Sequence, residues 1–186
     1  MSATRSKVPS AVRAAIGCAV LGSVGLLAGC ASMSAGGAAG SEVARLQPTQ
    51  GNTATGEVRF TPQAGKLMVT AQLSGLKPNQ AHGFHVHEKG DCSSPDATSA
   101  GGHFNPSGAP HGGPGAPRHA GDMPSLTADA QGRAQASFSI DGALTGDAAR
   151  AFSGKAVVVH AMPDDYATQP TGNSGARIAC GVIGRP

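Results

Sequence analysis

The stretch that decides the fold is "KLMVTAQL", residues 66–73. Leu67, Val69, Ala71 and Leu73 share one side of an extended chain, because strand side chains alternate with a period of two. The same alternation occurs upstream in "GEVRFTP" (residues 56–62), where Val58 and Phe60 oppose Glu57, Arg59 and Thr61. It occurs downstream in "RAQASFSI" (residues 133–140), where Ala134, Ala136, Phe138 and Ile140 align after the turn-like Asp129-Ala130-Gln131-Gly132. "KAVVVHA" (residues 155–161) and "RIACGVIG" (residues 177–184) are further strand-like runs, and Pro and Gly clusters bound every segment. Helical periodicity is confined to a short stretch at residues 146–152. With 28 glycines, 13 prolines and few aromatics, the core must be built from Val, Leu, Ile and Ala between many turns. The expected fold class is all-β, an antiparallel sandwich or flattened barrel with long loops.

The 186 residues suffice for one domain with its own core. The first 29 read as a signal peptide: Arg5, Lys7 and Arg13 form a basic start, and an apolar run follows at residues 14–27. Fourteen apolar residues are too few to span a bilayer comfortably, and a Gly/Ala/Ser-rich segment follows directly. The run ends in Leu27-Ala28-Gly29-Cys30, which resembles a bacterial lipoprotein cleavage box in which Cys30 takes the lipid; an ordinary cleaved signal peptide is the alternative. Residues 30–51 then read as a flexible tether, with a candidate first strand at residues 42–46, and residues 52–186 as the folded domain. Removing the three basic residues of the leader leaves 11 basic and 11 acidic residues, so the charge balance does not argue for nucleic acid. The cysteines sort in the same way. Cys18 leaves with the leader and Cys30 takes lipid, so Cys92 and Cys180 remain to form a disulfide in an exported protein.

All seven histidines lie between His82 and His160. In "GFHVHEKGDC" (residues 83–92), His85 and His87 face one side of a strand, close enough to grip one ion. Alone this pair is a weak signal, but His103, His111, His119 and Asp122 follow in a loop at residues 89–124, too long to stand unsupported. His160 ends the apolar strand "AVVVH". His85, His87 and His160, with one more imidazole from the loop, suit copper. His111, His119 and Asp122 look like a zinc grip, and His103 is placed to supply a fourth ligand to both groups.

With "GFHVHEKGDC", "AGGHFNPSGAPHGGP", "RHAGDM", "VVVHAMPDD" and "TGNSGARIACGVIG" in this order and spacing, the chain resembles the copper/zinc superoxide dismutase family from about Val43 to Ile183. The resemblance implies a Greek-key β-sandwich or flattened barrel with metal-binding and channel loops, one copper and one zinc ion per chain, and disproportionation of superoxide to dioxygen and hydrogen peroxide. It assigns His85, His87, His103 and His160 to copper, and His103, His111, His119 and Asp122 to zinc. The same comparison makes Arg177 the residue that attracts and orients the anion, faced by Thr171. Asp164 becomes the carboxylate joining His85 to His111, and Cys92–Cys180 the disulfide. His82 matches a family histidine that is not a ligand. The implied protein is an exported, envelope form held at a membrane through lipid on Cys30. A homodimer is one of the assemblies open to the family.

One departure is visible. The segment "ATQPTGNSGA" (residues 167–176) carries no charge, where animal members of the family carry lysine and glutamate that steer substrate. Steering then rests on Arg177, with Lys89 or Arg118 as additions, and implies a rate less dependent on ionic strength than in a heavily charged channel. Two other readings compete, a copper-storage module without turnover and a surface lipoprotein that binds zinc opportunistically. The first is expected to lack a ligand or the arginine, and the second leaves the order of the ligands unexplained.

Overall fold

Alternation in the sequence becomes alternation in burial along the central strands. The computed structural model describes residues 40–144, 146–147 and 151–186. In β3 (Lys66–Ser74), Leu67, Val69, Ala71 and Leu73 are buried while Lys66, Thr70 and Gln72 face solvent. Its neighbours are β2 (Thr55–Gln63), which buries Val58 and Phe60, and β7 (Ala134–Asp141), which buries Ala134 and Ile140. The remaining strands are β1 (Glu42–Pro48), β4 (Ala81–His82), β5 (Phe84–His87), β6 (Leu126–Thr127), β8 (Ala156–His160) and β9 (Arg177–Gly184), with a 3₁₀ turn at Thr98–Ala100.

Seven strands form one antiparallel sheet in the order β5-β8-β9-β1-β2-β3-β7, and β4 pairs with β6 in a separate ribbon. β1, β2 and β3 are sequential neighbours. The chain then crosses to the far edge for β5, returns to the first edge for β7 and crosses back again for β8. These crossovers give the swirl of a Greek-key barrel. The sheet is curled, because Phe84 on one edge strand meets Phe138 on the other edge strand in a T-shaped contact with centroids 6.4 Å apart. Phe60, Phe104 and Phe152 close the same core, and each such buried side chain contributes roughly 1.5–3 kcal/mol through removal from water.

β8 departs from alternation: all five of its residues are buried. Val157 and Val159 face the main core, while Ala156 and Val158 join Cys180, Ala97 and Ala100 in a second cluster on the outer face. The cover over that face is the loop after β5, held by the Cys92–Cys180 disulfide across 88 residues of sequence. In the chain-entropy view a closure of that length contributes roughly 4–5 kcal/mol. The bond therefore fixes a long loop against the strand pair that carries His160 and Arg177.

Two sequence expectations need adjustment. The candidate strand at residues 42–46 is present and longer, as β1 (Glu42–Pro48) pairs with both β2 and β9 and buries Val43, Ala44 and Leu46, so the folded domain begins inside the segment read as tether. Beyond β1, Thr49 N–H and the Thr49 hydroxyl donate to the carbonyls of Ile178 and Arg177. The short helical stretch at residues 146–152 lies partly outside the described residues. Its described positions hold bends at Gly146 and Asp147 and a bridge from Ala151 to Ala143, with no helix.

Candidate metal centre

The site begins in β5, where the period-two rule sets His85 and His87 on one side of the strand and buried Val86 on the other. The long loop folds back along this strand as isolated bridges, pairing His87 with His103 and His85 with Asp122. Gly121 N–H donates to the Phe104 carbonyl, and the Val86 carbonyl accepts from Phe104 N–H, which locks that return. β8 pairs with β5, and an irregularity after Val159 sets His160 opposite Arg177 of β9. Strand register thus delivers side chains from four separated segments to one buried place.

Two groups of four donors result, beside a third of three, His85, His111 and Asp164. His85, His87, His103 and His160 each offer a nitrogen within 4.8 Å of the others, and so do the donor atoms of His103, His111, His119 and Asp122. All seven residues are buried. His103 belongs to both four-donor groups. Nδ1 lies 2.8 Å from Asp122 Oδ1 and 3.4 Å from His119 Nδ1, while Nε2 is buried without a hydrogen-bond partner.

The outward nitrogens are held by acceptors. His87 Nδ1 donates to the Gly101 carbonyl at 2.9 Å and His160 Nδ1 to the Gly175 carbonyl at 3.2 Å. Asp164 accepts from His85 Nε2 at 2.6 Å through one oxygen and from His111 Nε2 at 2.9 Å through the other. Because these acceptors have no proton to give, the proton sits on the outward nitrogen and the lone pair of the other points inward. His87 Nε2 and His160 Nε2 accordingly face each other at 3.4 Å, and the Nδ1 atoms of His85 and His111 are buried with no hydrogen bond. Unpartnered buried nitrogens that converge with lone pairs inward are what a cation requires.

The donor sets fit two different ions. On the second group, His111 Nδ1 is 3.0 Å from Asp122 Oδ2 and His119 Nδ1 is 3.3 Å from Asp122 Oδ1. Tetrahedral zinc bonds of about 2.0–2.1 Å place neighbouring donors about 3.3–3.4 Å apart, so three imidazoles and a carboxylate at these separations suit zinc. The all-imidazole group suits copper.

The other residues singled out from the sequence divide clearly. Arg177 is half-buried on the all-imidazole side, its guanidinium donating to the carbonyls of Ala97 at 2.6 Å and Gly101 at 2.7 Å. Gly101 therefore holds both Arg177 and His87. Half-buried Thr171 lies next to Gly172, where a Cβ would collide with Asp164 Oδ1, so only glycine fits under that carboxylate. His82 joins neither group; its Nδ1 donates to the His160 carbonyl at 2.8 Å. Arg118 lines a crevice beside His119 on the carboxylate side, and Lys89 is exposed. Cys30 lies outside the described residues. Sequence reasoning missed Tyr166 and Gln169, whose contacts with Ser125 and with the His111 backbone connect two loops. Both are uncharged and carry no ligand chemistry, so no motif marks them.

Burial disfavours the charged form of four of these imidazoles. Desolvation pushes His85 down to about 4, His160 to about 3 and His87 to about 2, and it also lowers His119. Burial alone would raise Asp164, but hydrogen bonds from His85, His111 and Tyr166 N–H hold it at about 2. Asp122 likewise ends below the usual carboxylate range: burial opposes the shift, and hydrogen bonds from His103 and Gly112 N–H outweigh it. An unfolded histidine takes up its proton near pH 6.5, whereas folded His85, His87 and His160 resist until about pH 4 or lower, so the unfolded chain binds more protons between those limits. Stability of the metal-free protein is therefore expected to fall as the pH drops below about 6.5, with Asp164 adding to the loss below about 3.8. Urea unfolding of metal-free protein at a series of pH values checks this. A midpoint that stays level from neutrality down to the folded-state values would contradict it.

Comparison with known proteins agrees with the geometry. The family described as copper/zinc superoxide dismutase (SODC) matches residues 54–183. The chain is 45% identical over 136 residues to "Superoxide dismutase [Cu-Zn]" of Paramecium bursaria Chlorella virus 1, covering 69% of this chain and 72% of that protein. It is 40% identical over 146 residues to "Superoxide dismutase [Cu-Zn] 2" of Aquifex aeolicus, covering 75% of this chain and 84% of that one. Among solved structures, a SOD-like protein from Bacillus subtilis superposes with a TM-score of 0.68 at 35% identity over 75% of this chain and 96% of that one. A double mutant of that protein gives 0.67 at the same identity, over 76% and 96%. A buried pair of nitrogen-rich ligand groups joined by one histidine, on a curled antiparallel sheet, is thus matched along most of the domain, and the chain belongs to the copper/zinc superoxide dismutase family.

Proposed function

We propose that His85, His87, His103 and His160 hold copper, that His103, His111, His119 and Asp122 hold zinc, and that the enzyme acts on superoxide outside the cytoplasm. The observation that carries the metal assignment is His103, a member of both donor groups, with Nδ1 on Asp122 and Nε2 buried without a protein partner. The reaction converts two superoxide anions and two protons to dioxygen and hydrogen peroxide. Copper supplies the one-electron couple when bound, and zinc, which has no redox chemistry, holds its ligands in place.

The protein's own groups do the rest. Arg177 presents a fixed positive charge on the copper side, and because both arms of its guanidinium are tied to carbonyls, the charge cannot swing away from an approaching anion. Thr171, which the family resemblance sets facing Arg177, would narrow the approach to the copper side. His103 Nε2 has no competing partner among protein atoms, so it is the nitrogen at which a proton can be held and then given up to a reduced oxygen species. Asp164 fixes the rings of His85 and His111 together, which ties the orientation of a copper ligand to that of a zinc ligand.

Export and lipid attachment rest on the basic start, the apolar run and "LAGC" at residues 27–30, together with a disulfide of the kind that persists in oxidising compartments. Attachment through Cys30 rests on that cleavage-box pattern; among the described residues no helix is long and apolar enough to cross a membrane. Several acyl chains on that cysteine, at about 0.8 kcal/mol per buried CH₂, would give a stable anchor. The role that follows is protection of the cell envelope from superoxide arising outside the cytoplasm.

Two measurements test these assignments. Arg177→Ala is expected to lower kcat/KM for superoxide by roughly tenfold with copper and zinc content unchanged, and Arg177→Lys to recover part of the loss. Unchanged kcat/KM would remove Arg177 from substrate capture. In a bacterial host, the full chain is expected in the membrane fraction and Cys30→Ser in the soluble fraction. Equal partitioning of the two proteins would contradict the lipid anchor.

A further inference from the structure

Gln169 makes a contact that the ligand chemistry does not require. Its side-chain Oε1 accepts from the His111 backbone N–H at 2.7 Å, and its Nε2 donates to the His111 carbonyl at 2.9 Å. One amide side chain thus supplies both hydrogen bonds that a neighbouring strand would make to this residue. The two residues are 58 apart in sequence, so the contact joins the loop after β8 to the loop that carries the zinc ligands. With Asp164 holding Nε2, the only polar atom of His111 left without a hydrogen bond is Nδ1, which lies 3.0 Å from Asp122 Oδ2.

The loop that carries Gln169 is itself tied down. Asp165 accepts from the N–H groups of Ala167 and Thr168 and from the Thr168 hydroxyl, and Gly172 N–H closes back on the Thr168 carbonyl at 2.7 Å. Tyr166, the single tyrosine of the chain, accepts from Ser125 N–H at 2.7 Å and donates to the Ser125 hydroxyl at 3.0 Å. Its ring lies against Gly113, where an added Cβ would meet the ring at 2.9 Å. Its own N–H donates to Asp164 Oδ1, the oxygen that also accepts from His111. The loop therefore reaches the zinc-side segment at three places: Gly113, Ser125 and the His111 backbone.

We propose that Gln169 is a positioning residue for zinc: by clamping both backbone polar groups of His111 from a loop outside the ligand set, it fixes the direction of Nδ1 and slows zinc loss. The inference rests on the assignment of His111 to zinc. It separates the two metals, because Gln169 touches the backbone of His111, which belongs to the proposed zinc set and not to the proposed copper set.

The test uses the full chain loaded with copper and zinc, and follows transfer of zinc to a colorimetric chelator in parallel with copper loss. Gln169→Ala is expected to release zinc roughly 10- to 100-fold faster, with copper release and the visible Cu(II) band unchanged. Gln169→Glu keeps the acceptor for His111 N–H and loses the donor, so its zinc release is expected to fall in between. Tyr166→Phe removes one hydroxyl and provides a mild variant should Gln169→Ala fail to fold; a smaller acceleration of zinc loss is expected from it. As a spectroscopic readout, cobalt(II) in place of zinc is expected to show an altered visible spectrum in Gln169→Ala. Zinc release unchanged in both Gln169 variants, or equal acceleration of both metals, would overturn the proposal. His111→Ala serves as the control. If it retains zinc as the unsubstituted protein does, the assignment of His111 fails, and not merely the role of Gln169.

Discussion

A buried imidazole must expose both ring nitrogens to donor groups without losing its orientation, and the architecture around His103 is organised to hold it so. His103 is bridged to β5 through His87, stacks on His85 with centroids 3.9 Å apart, and turns Nδ1 toward Asp122. Each of these neighbours is in turn fixed by something outside the ligand set: Asp164 for His85, the Gly101 carbonyl for His87 and the Gly112 N–H for Asp122. Arg177 shares the Gly101 carbonyl, so its guanidinium and the His87 ring are positioned by one peptide group.

Holding so many polar groups away from water is unfavourable in the protein alone. An unpartnered buried nitrogen costs about 1–3 kcal/mol, and the site has such atoms on His85, His103 and His111. Lowered histidine pKa values express the same cost, since the charged forms are excluded by burial. The scaffold offsets it with the curled sheet, whose two edges meet at Phe84 and Phe138, and with the disulfide that covers the outer face of β8 and β9. Metal binding then returns free energy to the folded state by satisfying the same atoms.

Much of this was legible in residue patterns, and the exceptions have physical reasons. Strands β2, β3 and β7 were readable because one face is buried and the other wet, the condition under which alternation is clear. β1 was partly assigned to the tether because its first three residues are all buried, which hides the period of two; Glu42 is buried there and accepts from the Ser153 hydroxyl. The seven residues of the two four-donor groups were readable because their chemistry is rare and clustered. Gln169 and Tyr166 were not, since an amide and a phenol become informative only when one knows which distant backbone lies opposite them. The uncharged loop at residues 167–176 drew notice in the sequence for its lack of steering charge, yet in the structure its neutral residues clamp the zinc-side segment.

The central claim, that one imidazole belongs to two metal sites, is tested most directly by equilibrium titration of copper and zinc into His103→Ala, read against His87→Ala and His119→Ala. The account predicts that His103→Ala weakens both metals by at least about tenfold, while His87→Ala weakens chiefly copper and His119→Ala chiefly zinc. If His103→Ala weakens one metal and leaves the other bound as in the unsubstituted protein, His103 is not shared and the account fails.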